Sequence, residues 1–207
     1  MGVRLDAHDA SGRVLDEYLV SLTQAGSIEA LDGLARRWTP RLLRYAARLV
    51  GASGGSAEAA RDVVQDTWLG VIRGLRGLRD PAQFPAWIYG IATRRCMDEI
   101  RARTRRRRLE ERAAAGGTDR QLATPTPELQ VDLAAAIGRL PPIHRAAVHL
   151  FYREELSVEE IAAVLGIPAG TVKSRLHHAR EALKRQLQSG PAGSGRNEAQ
   201  SHRRGIS

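Results

Sequence analysis

Apolar residues recur at spacings of three and four in three stretches of the first half of the chain, the pattern of helices that bury one face. The first stretch predicts a helix over 28–50, with Pro40 inside it as a point where the helix can kink or divide. The second predicts a helix over 57–75, which begins after a glycine-rich break. The third predicts a helix over 80–108, for which Asp80 is the expected N-cap.

The second half repeats this pattern in shorter helices. Apolar spacing predicts one helix over 129–140 and another over 143–152, separated by two prolines. Ser157 and the glutamate three residues later form a capping box, which opens a short helix, and Gly166 marks a tight turn after it. A longer basic helix then runs to Leu187. These features together predict a helix-turn-helix.

Composition divides the chain into two domains, at 14–108 and 128–188. Between them, 109–127 contains AAAGGT and TPTP without an apolar stripe, which indicates a flexible linker. The tail over 189–207 is rich in Gly, Ser and Arg and is expected to be disordered. The predicted fold is therefore all-α, with two small helical domains joined by a flexible linker and a helix-turn-helix in the C-terminal one.

Charge and cysteine content narrow the class of protein. The 207 residues carry a formal net charge of +9, which favours a polyanionic partner. A single cysteine, Cys96, excludes an intrachain disulfide and indicates a reducing compartment. The first 16 residues lack the apolar run of a secretory signal, and no stretch is apolar enough to span a membrane. We expect a soluble, cytoplasmic protein without a membrane partner.

The basic residues are concentrated on two of the predicted helices. The last helix, over 168–189, holds five basic residues and one acid, a net charge of +4. In a helix-turn-helix this second helix enters the major groove of DNA. Its polar residues near the N-terminus are therefore the candidates for base and phosphate contacts: Thr171, Lys173, Ser174, Arg175 and His178. A three-helix bundle with a solvated basic face is the plainer interpretation.

The segment 84–108 is even more basic, with eight arginines and two acids, a net charge of +6. Arginines beside aromatic residues suit a single nucleic-acid strand, because phosphates pair with arginine and bases stack on rings. Trp87 itself is more often a core residue, and an arginine run alone can be a solvated surface. A third, weaker signal is the polar face formed by Asp62, Gln65, Asp66 and Leu69, since an acidic patch on a basic protein suits a basic partner.

Two sets of motifs resemble one known family. The segments 62–68 (DVVQDTW), 84–95 (FPAWIYGIATRR) and 98–101 (DEIR) are similar to domain two of extracytoplasmic-function (ECF) sigma factors of bacterial RNA polymerase. The segment 140–180, with LPP and then EEIAAVLGIPAGTVKSRLHHAR, is similar to their domain four. Both resemblances occur in the family's order, with a linker between them, over about residues 28 to 187.

This resemblance implies roles for the candidate residues. Asp62, Gln65 and Asp66, with Leu69 beside them, match the family's surface for the clamp helices of the polymerase. The 87–103 helix matches the element that opens and reads the −10 region, and 171–178 matches the helix that reads the −35 region. The candidate contacts to the −10 region are Trp87, Arg94, Arg95, Asp98 and Arg101.

The implied partners are core RNA polymerase, promoter DNA as duplex and melted strand, and an anti-sigma factor, which often restrains members of the family. The resemblance implies no cofactor, no metal and no catalytic activity. The chain departs from the family at Asp66, where glutamate is usual, and after Ile91, where it reads ATRRC. The loop 74–81, which helps to set −10 specificity in the family, carries Arg76 and Arg79.

Two other functions remain open from the sequence alone. A helix-turn-helix regulator would bind its site without polymerase, but the acidic face and the basic 84–108 helix would then have no evident role. A nucleic-acid enzyme would need a metal-ligand spacing, a phosphate-cradling loop or a Ser/His/Asp set. The six histidines do not cluster with carboxylates or the cysteine in the sequence, which disfavours this second alternative.

Overall fold

The computed structural model describes residues 7–114 and 133–188. Within these ranges the chain forms eight α-helices and two short 3-10 helices, and no strand occurs there. We call residues 7–114 the N-terminal half and residues 133–188 the C-terminal half. The α-helices are α1 (Ala7–Gln24), α2 (Ile28–Gly51), α3 (Ala57–Gly74), α4 (Phe84–Ala114), α5 (Leu133–Gly138), α6 (Pro142–Tyr152), α7 (Val158–Leu165) and α8 (Ala169–Gln188).

Helix α1 is an element that the apolar pattern did not predict. It packs against α2 through buried Val20 and through an ion pair in which Arg37 donates to the buried carboxylate of Asp16 at 2.8 Å. The Gln24 side chain donates to the carbonyls of Leu75 and Leu78, at 2.9 and 2.7 Å. These polar contacts fix α1 against the first half of α2 and against residues 75–78, which follow α3.

The predicted stripe of α2 is confirmed, since Leu34, Trp38, Leu42 and Leu49 are all buried. The helix runs through Pro40 without dividing. The apolar residues on both sides of the proline pack into the same core, which stabilises a single helix despite the missing backbone donor.

Helices α3 and α4 close this core around a cluster of aromatic rings. The Trp38 ring lies edge-on to Phe84 and Tyr89, with centroid distances of 5.4 and 5.7 Å, and Tyr89 lies 5.2 Å from Tyr45. Cys96 is buried in the same core, and burial raises the pKa of its thiol to about 12. Cys96 is therefore a packed residue of the core, and its raised pKa disfavours the thiolate.

The start of α4 is close to the prediction, but its end is not. Asp80 is an N-cap that accepts from the Ala82 amide, and it caps a 3-10 turn, Pro81–Gln83, that leads into α4. The helix continues to Ala114, so residues 109–114, which we interpreted as the beginning of the linker, are helical. Glutamates beyond the arginine run support this extension, for example by the ion pair between Arg107 and Glu111 at 3.2 Å.

In the C-terminal half, α6, α7 and α8 begin and end close to the predicted positions. Helix α5 ends at Gly138, two residues before the predicted end at 140, and the residues before 133 lie outside the described ranges. The rest of the predicted linker and the tail over 189–207 also lie outside them.

The two halves pack directly against each other, mainly where α7 lies on α4 and α6 approaches α2. Their buried residues form one contiguous cluster, so the two domains predicted from the sequence pack against each other. No helix in the described ranges has both the length and the apolar character needed to cross a membrane.

Candidate nucleic-acid and polymerase surfaces

The helix-turn-helix is built from strong local signals. The Ser157 hydroxyl accepts from the Glu160 amide at 3.1 Å, and the Glu160 carboxylate accepts from the Ser157 amide at 2.7 Å, so the capping box of α7 is complete. Gly166 ends α7 with φ of +63°, a left-handed conformation that glycine adopts without strain. This turn directs α8 across α7, where Val172 and Leu176 are buried.

The polar face of α8 points away from this core. Lys173, Ser174 and His178 are exposed, and Thr171 and Arg175 are half-buried. The structure therefore places the five predicted −35 residues in the first half of α8, outside the buried stripe formed by Val172 and Leu176.

Arg175 differs from its neighbours because its guanidinium lies partly against α6. Its Nη1 is buried and has no hydrogen-bond partner among the described residues. Burial of His144 on α6 lowers the pKa of that imidazole, and the charges of Arg175 and then His178 lower it further. Leaving a buried cationic donor unpaired costs free energy, which favours turning the guanidinium outward to an external acceptor such as a base edge or phosphate oxygen.

The candidate −10 residues lie on the solvent side of α4. Arg94, Arg95, Asp98 and Arg101 are exposed within two turns of the helix, while Trp87 is half-buried. Arg101 donates to Asp98 at 2.6 Å, so this carboxylate orients an arginine of the same face. The structure brings all five predicted residues onto one surface, and four of them line a single groove beside Gly70: Trp87, Arg94, Arg95 and Asp98.

Two glycines of α3 allow α4 to approach closely in this groove. A Cβ atom at Gly70 would lie 3.0 Å from the Ile91 side chain, and one at Gly74 would lie 3.0 Å from the Trp87 ring. The Trp87 ring is therefore clamped against α3, with part of its surface open to the groove. This agrees with the expectation that it packs as a core residue, and it leaves an aromatic face beside the arginines.

The acidic face of α3 is accessible along its length. Asp62, Gln65, Asp66 and Leu69 are exposed, and the opposite side of the helix is buried through residues such as Val63. Leu69 is 41% exposed, which gives the polar face one apolar contact point.

Asp62 and Asp66 also line one side of a groove between α3 and α4. The other side of this groove, of about 390 Å³, carries Arg95, Arg101 and Arg105. Neither aspartate makes an ion pair with a residue in the described part of the chain, so both carboxylates remain available. The acidic surface and the basic surface are thus adjacent, a proximity that the sequence did not reveal.

Helix α6 buries two basic side chains at the contact between the halves. Arg145 is 2% exposed and His149 is 6% exposed. Burial lowers the pKa of His149 to about 4, and the charges of Arg48, Arg145 and Arg153 act in the same direction. Among the residues that the structure describes, no carboxylate lines the cavity that His149 shares with these arginines, and their charges favour the neutral imidazole.

We expect the free energy of unfolding to fall as the pH drops from 6.5 toward 4, because the unfolded chain protonates His149 while the folded protein resists it. The loss attributable to this residue is on the order of 2 kcal/mol. Urea denaturation of the wild type and of His149→Gln gives the free energy of unfolding at each pH in this range. The contribution of His149 is the difference between the pH dependences of the two proteins.

The matched control for this experiment is His177→Gln, which changes an exposed histidine of α8. That variant should keep the pH dependence of the wild type. An equally steep pH dependence in His149→Gln would show that His149 does not carry the effect.

These surfaces define the protein as an all-helical DNA-binding protein with a C-terminal helix-turn-helix. Residues 34–106 match the family model for sigma-70 region 2, and residues 130–183 match the model for sigma-70 region 4. The chain is 30% identical over 190 residues to the ECF RNA polymerase sigma-E factor of Escherichia coli, covering 86% of this chain and 97% of that protein. The chain belongs to the ECF family of RNA polymerase sigma factors.

Other relatives agree with this assignment. The ECF sigma factor SigE of Mycolicibacterium smegmatis is 38% identical over 164 residues, which cover 75% of this chain and 61% of that protein. Among solved structures, CnrH in complex with the cytosolic domain of CnrY is 28% identical, with a TM-score of 0.60 over 84% of this chain and 97% of CnrH. The Bartonella quintana sigma factor RpoE, solved with the anti-sigma factor NepR, shares the fold at 23% identity and a TM-score of 0.57, over 78% of this chain and 99% of RpoE.

The contact between the halves is the feature that the sequence reasoning missed. Arg145 stands among apolar residues on α6 (PIHRAAVHLF), so an isolated arginine on an otherwise buried helix was the available signal. Such a residue needs hydrogen-bond acceptors when it is buried. Nothing in the local pattern, however, identifies acceptors nearly 100 positions away.

Proposed function

We propose that this protein binds core RNA polymerase in the cytoplasm and directs it to promoters by contacting both the −10 and −35 elements, with no catalytic activity of its own. The observation that carries this proposal is the presence, in one chain, of three accessible surfaces of different chemistry. These are the polar face of α8, the arginine face of α4 and the acidic face of α3.

The face of α8 suits duplex DNA. A recognition helix reads base edges with residues near its N-terminus, and Thr171, Lys173, Ser174, Arg175 and His178 occupy that part of α8. Arg175 has the paired donors that match O6 and N7 of guanine, whereas Lys173 suits a phosphate. We assign these residues to the −35 element.

The face of α4 suits a melted strand. Arg94, Arg95 and Arg101 supply cations for phosphates, and Trp87 offers an aromatic surface beside them. Opening a promoter costs stacking energy, and binding of the separated strand offsets this cost. We assign this face, with Asp98 as the residue that orients Arg101, to the −10 element.

The face of α3 suits the polymerase. Its exposed carboxylates complement a basic protein surface. They belong to Asp62 and Asp66, with Gln65 between them and Leu69 at the end of the face. We assign these four residues to the clamp contact. Because the RpoE structure was solved with the anti-sigma factor NepR, we also expect an anti-sigma partner for this chain.

Replacing Arg94, Arg95 and Arg101 together by alanine should reduce promoter opening by roughly tenfold or more, because three cations next to the strand are removed. Permanganate reactivity of unpaired thymines, measured with the reconstituted holoenzyme, reports opening. Binding of the holoenzyme to the −35 duplex alone should be retained.

A matched control replaces three exposed arginines elsewhere in the N-terminal half, Arg36, Arg44 and Arg73, and so changes the net charge equally. This control should open the promoter at close to the wild-type rate. Equal loss in both variants would mean that total charge, and not the face of α4, determines opening.

A further inference from the structure

Arg145 crosses the seam, the line of contact between the N-terminal and C-terminal halves, and keeps one donor unused. Its Nη2 donates to the Leu49 carbonyl at 2.8 Å and to the Ser53 hydroxyl at 2.6 Å. Its Nη1 donates to the carbonyls of Gly138 and Leu140 at 2.8 and 3.1 Å. A guanidinium has five N–H donors, so these four bonds leave only the Nε–H. That Nε is buried without a hydrogen-bond partner in the described part of the chain, which favours an additional acceptor.

A cavity beside Arg145 collects positive charge. It has a volume of about 400 Å³, lies between α2, α5 and α6, and is lined by Arg48, Arg145, His149 and Arg153. Within residues 7–114 and 133–188, none of these three arginines forms an ion pair with a carboxylate. Cations that lie close together in a partly desolvated place repel one another, so an anion in this cavity is favoured.

The rest of the cavity is lined by small or apolar residues. Ala47 of α2 lies there with Leu133 and Ile137 of α5, and Leu133 is 52% exposed. A ligand that covers these side chains removes apolar surface from water, which stabilises its binding. Pockets for small ligands usually have volumes of about 300–1,000 Å³ and apolar walls with a few polar groups, as here. The cavity therefore suits a molecule with an anionic head and an apolar tail.

The polar groups of the cavity match a carboxylate as the head. The Nε–H of Arg145 and one N–H of the neutral His149 imidazole are two donors for the two carboxylate oxygens. Arg48 is half-buried and Arg153 is exposed, so their long side chains can turn toward the same oxygens. Hydrogen bonds between arginine and a carboxylate are stronger than those between neutral groups.

We propose that this cavity is a binding site for a small amphiphilic carboxylate, with the head among Arg48, Arg145 and Arg153 and the aliphatic tail along α5. The site is separate from the surfaces that we assign to DNA and polymerase. It does not rest on the proposed function, so the free protein should bind the ligand with neither polymerase nor DNA present.

Titration calorimetry of the full chain with octanoate at neutral pH tests the proposal. We expect one site per chain. In the series butyrate, hexanoate and octanoate, affinity should rise roughly fourfold for each added methylene group that the cavity covers. In proton–nitrogen NMR spectra, octanoate should shift the Nε–H signal of Arg145 saturably, with the same dissociation constant. Absence of saturable octanoate binding to the wild type would overturn the site.

Two further probes separate the head from the tail. Acetate has the carboxylate without the tail, and octanol has the tail without the charge. Each should bind at least roughly tenfold more weakly than octanoate, because each loses either the apolar contact or the charged hydrogen bonds. Equal affinity of acetate would show a simple cationic patch, and equal affinity of octanol would show a simple apolar cleft. Either result would contradict the proposal.

Ala47→Leu places a larger side chain in the cavity from an exposed position of α2, so the core is not disturbed. It should abolish octanoate binding by occupying the space for the tail. Its control is Ala163→Leu, which makes the same change at an exposed position of α7 that does not line the cavity. Undiminished binding to Ala47→Leu would place the ligand elsewhere and overturn the assignment.

Arg48→Gln combined with Arg153→Gln should weaken octanoate binding roughly tenfold or more, since two cations near the head are removed. Arg36→Gln combined with Arg73→Gln changes the net charge equally at exposed positions outside the cavity, and should bind octanoate like the wild type. Circular dichroism checks that both variants are folded. An equal loss of affinity in the two variants would mean that total charge, and not this cavity, attracts the anion.

The outcomes distinguish this proposal from the proposed function. Octanoate binding that Ala47→Leu abolishes, in a protein that does not bind core polymerase, would keep the site and reject the sigma role. Promoter-specific transcription by a protein that does not bind octanoate would keep the sigma role and reject the site.

Discussion

Asp62→Lys combined with Asp66→Lys is expected to weaken binding to core RNA polymerase by roughly 100-fold, since like charges placed opposite each other at an interface cost several kcal/mol. Both carboxylates are exposed on α3, and the side of the helix that faces the core is untouched. Fluorescence anisotropy of labelled protein titrated with core polymerase measures the loss. Circular dichroism should show unchanged helical content.

The control variant combines Glu29→Lys with Asp32→Lys on α2, which reverses two other exposed acids and changes the net charge equally. That variant should bind polymerase within a few-fold of wild type. Full affinity in the Asp62/Asp66 variant would remove the acidic face of α3 from the polymerase contact.

Arg175→Ala is expected to cost about 1–3 kcal/mol of discrimination at the −35 element, or roughly 5- to 150-fold in specific binding. The side chain lies on the face of α8 that we propose reads the −35 element, and its Nη1 is buried without a partner in the described structure. Competition between cognate and altered −35 duplexes, with the holoenzyme at fixed salt, measures this change. Arg175→Lys should lose nearly as much, because lysine keeps the charge but lacks the paired donors.

Lys184→Ala provides the comparison on the same helix. Lys184 is exposed more than two turns further along α8, where a side chain reaches phosphates rather than base edges. Its loss should weaken binding to all DNA sequences equally and reduce the slope of log affinity against log salt by about 1. If Arg175→Ala also weakens cognate and altered duplexes equally, Arg175 is a phosphate contact and not a base-reading residue.

The sequence predicted those parts of the structure that depend on local signals. The stripe of α2, the two N-caps at Ser157 and Asp80, and the turn at Gly166 all follow from residues within a few positions of one another. The exposed faces of α3, α4 and α8 follow from the same periodicity, because residues off the apolar stripe lie at the surface.

Helix α1 escaped prediction because its periodicity is poor. Three of its apolar residues, Val14, Leu15 and Tyr18, are exposed, and one of its buried residues is Asp16. The helix is held by long-range polar contacts such as Asp16 with Arg37, which no short window of sequence contains. Tertiary contacts, and not the local helix propensity, therefore stabilise α1.

The seam between the halves was unpredictable for a similar reason. Arg145 and Tyr89 lie on helices and Glu154 lies in the loop after α6, and the hydrogen bonds that join the halves through them span 65 to 96 positions. The adjacency of Asp62 and Asp66 to the arginines of α4 likewise depends on how α3 packs on α4. The candidate site residues could be listed from sequence, but their mutual geometry required the fold.

The most direct test of the sigma role mixes the purified full chain with core RNA polymerase that lacks any sigma factor. Complex formation is measured by gel filtration, and RNA start sites are then mapped on a genomic DNA library. We predict a stable complex that starts RNA at a discrete set of promoters sharing −10 and −35 motifs. Failure to bind the core enzyme, together with tight sequence-specific binding of the protein alone to duplex DNA, would contradict this role and identify a helix-turn-helix regulator that acts without polymerase.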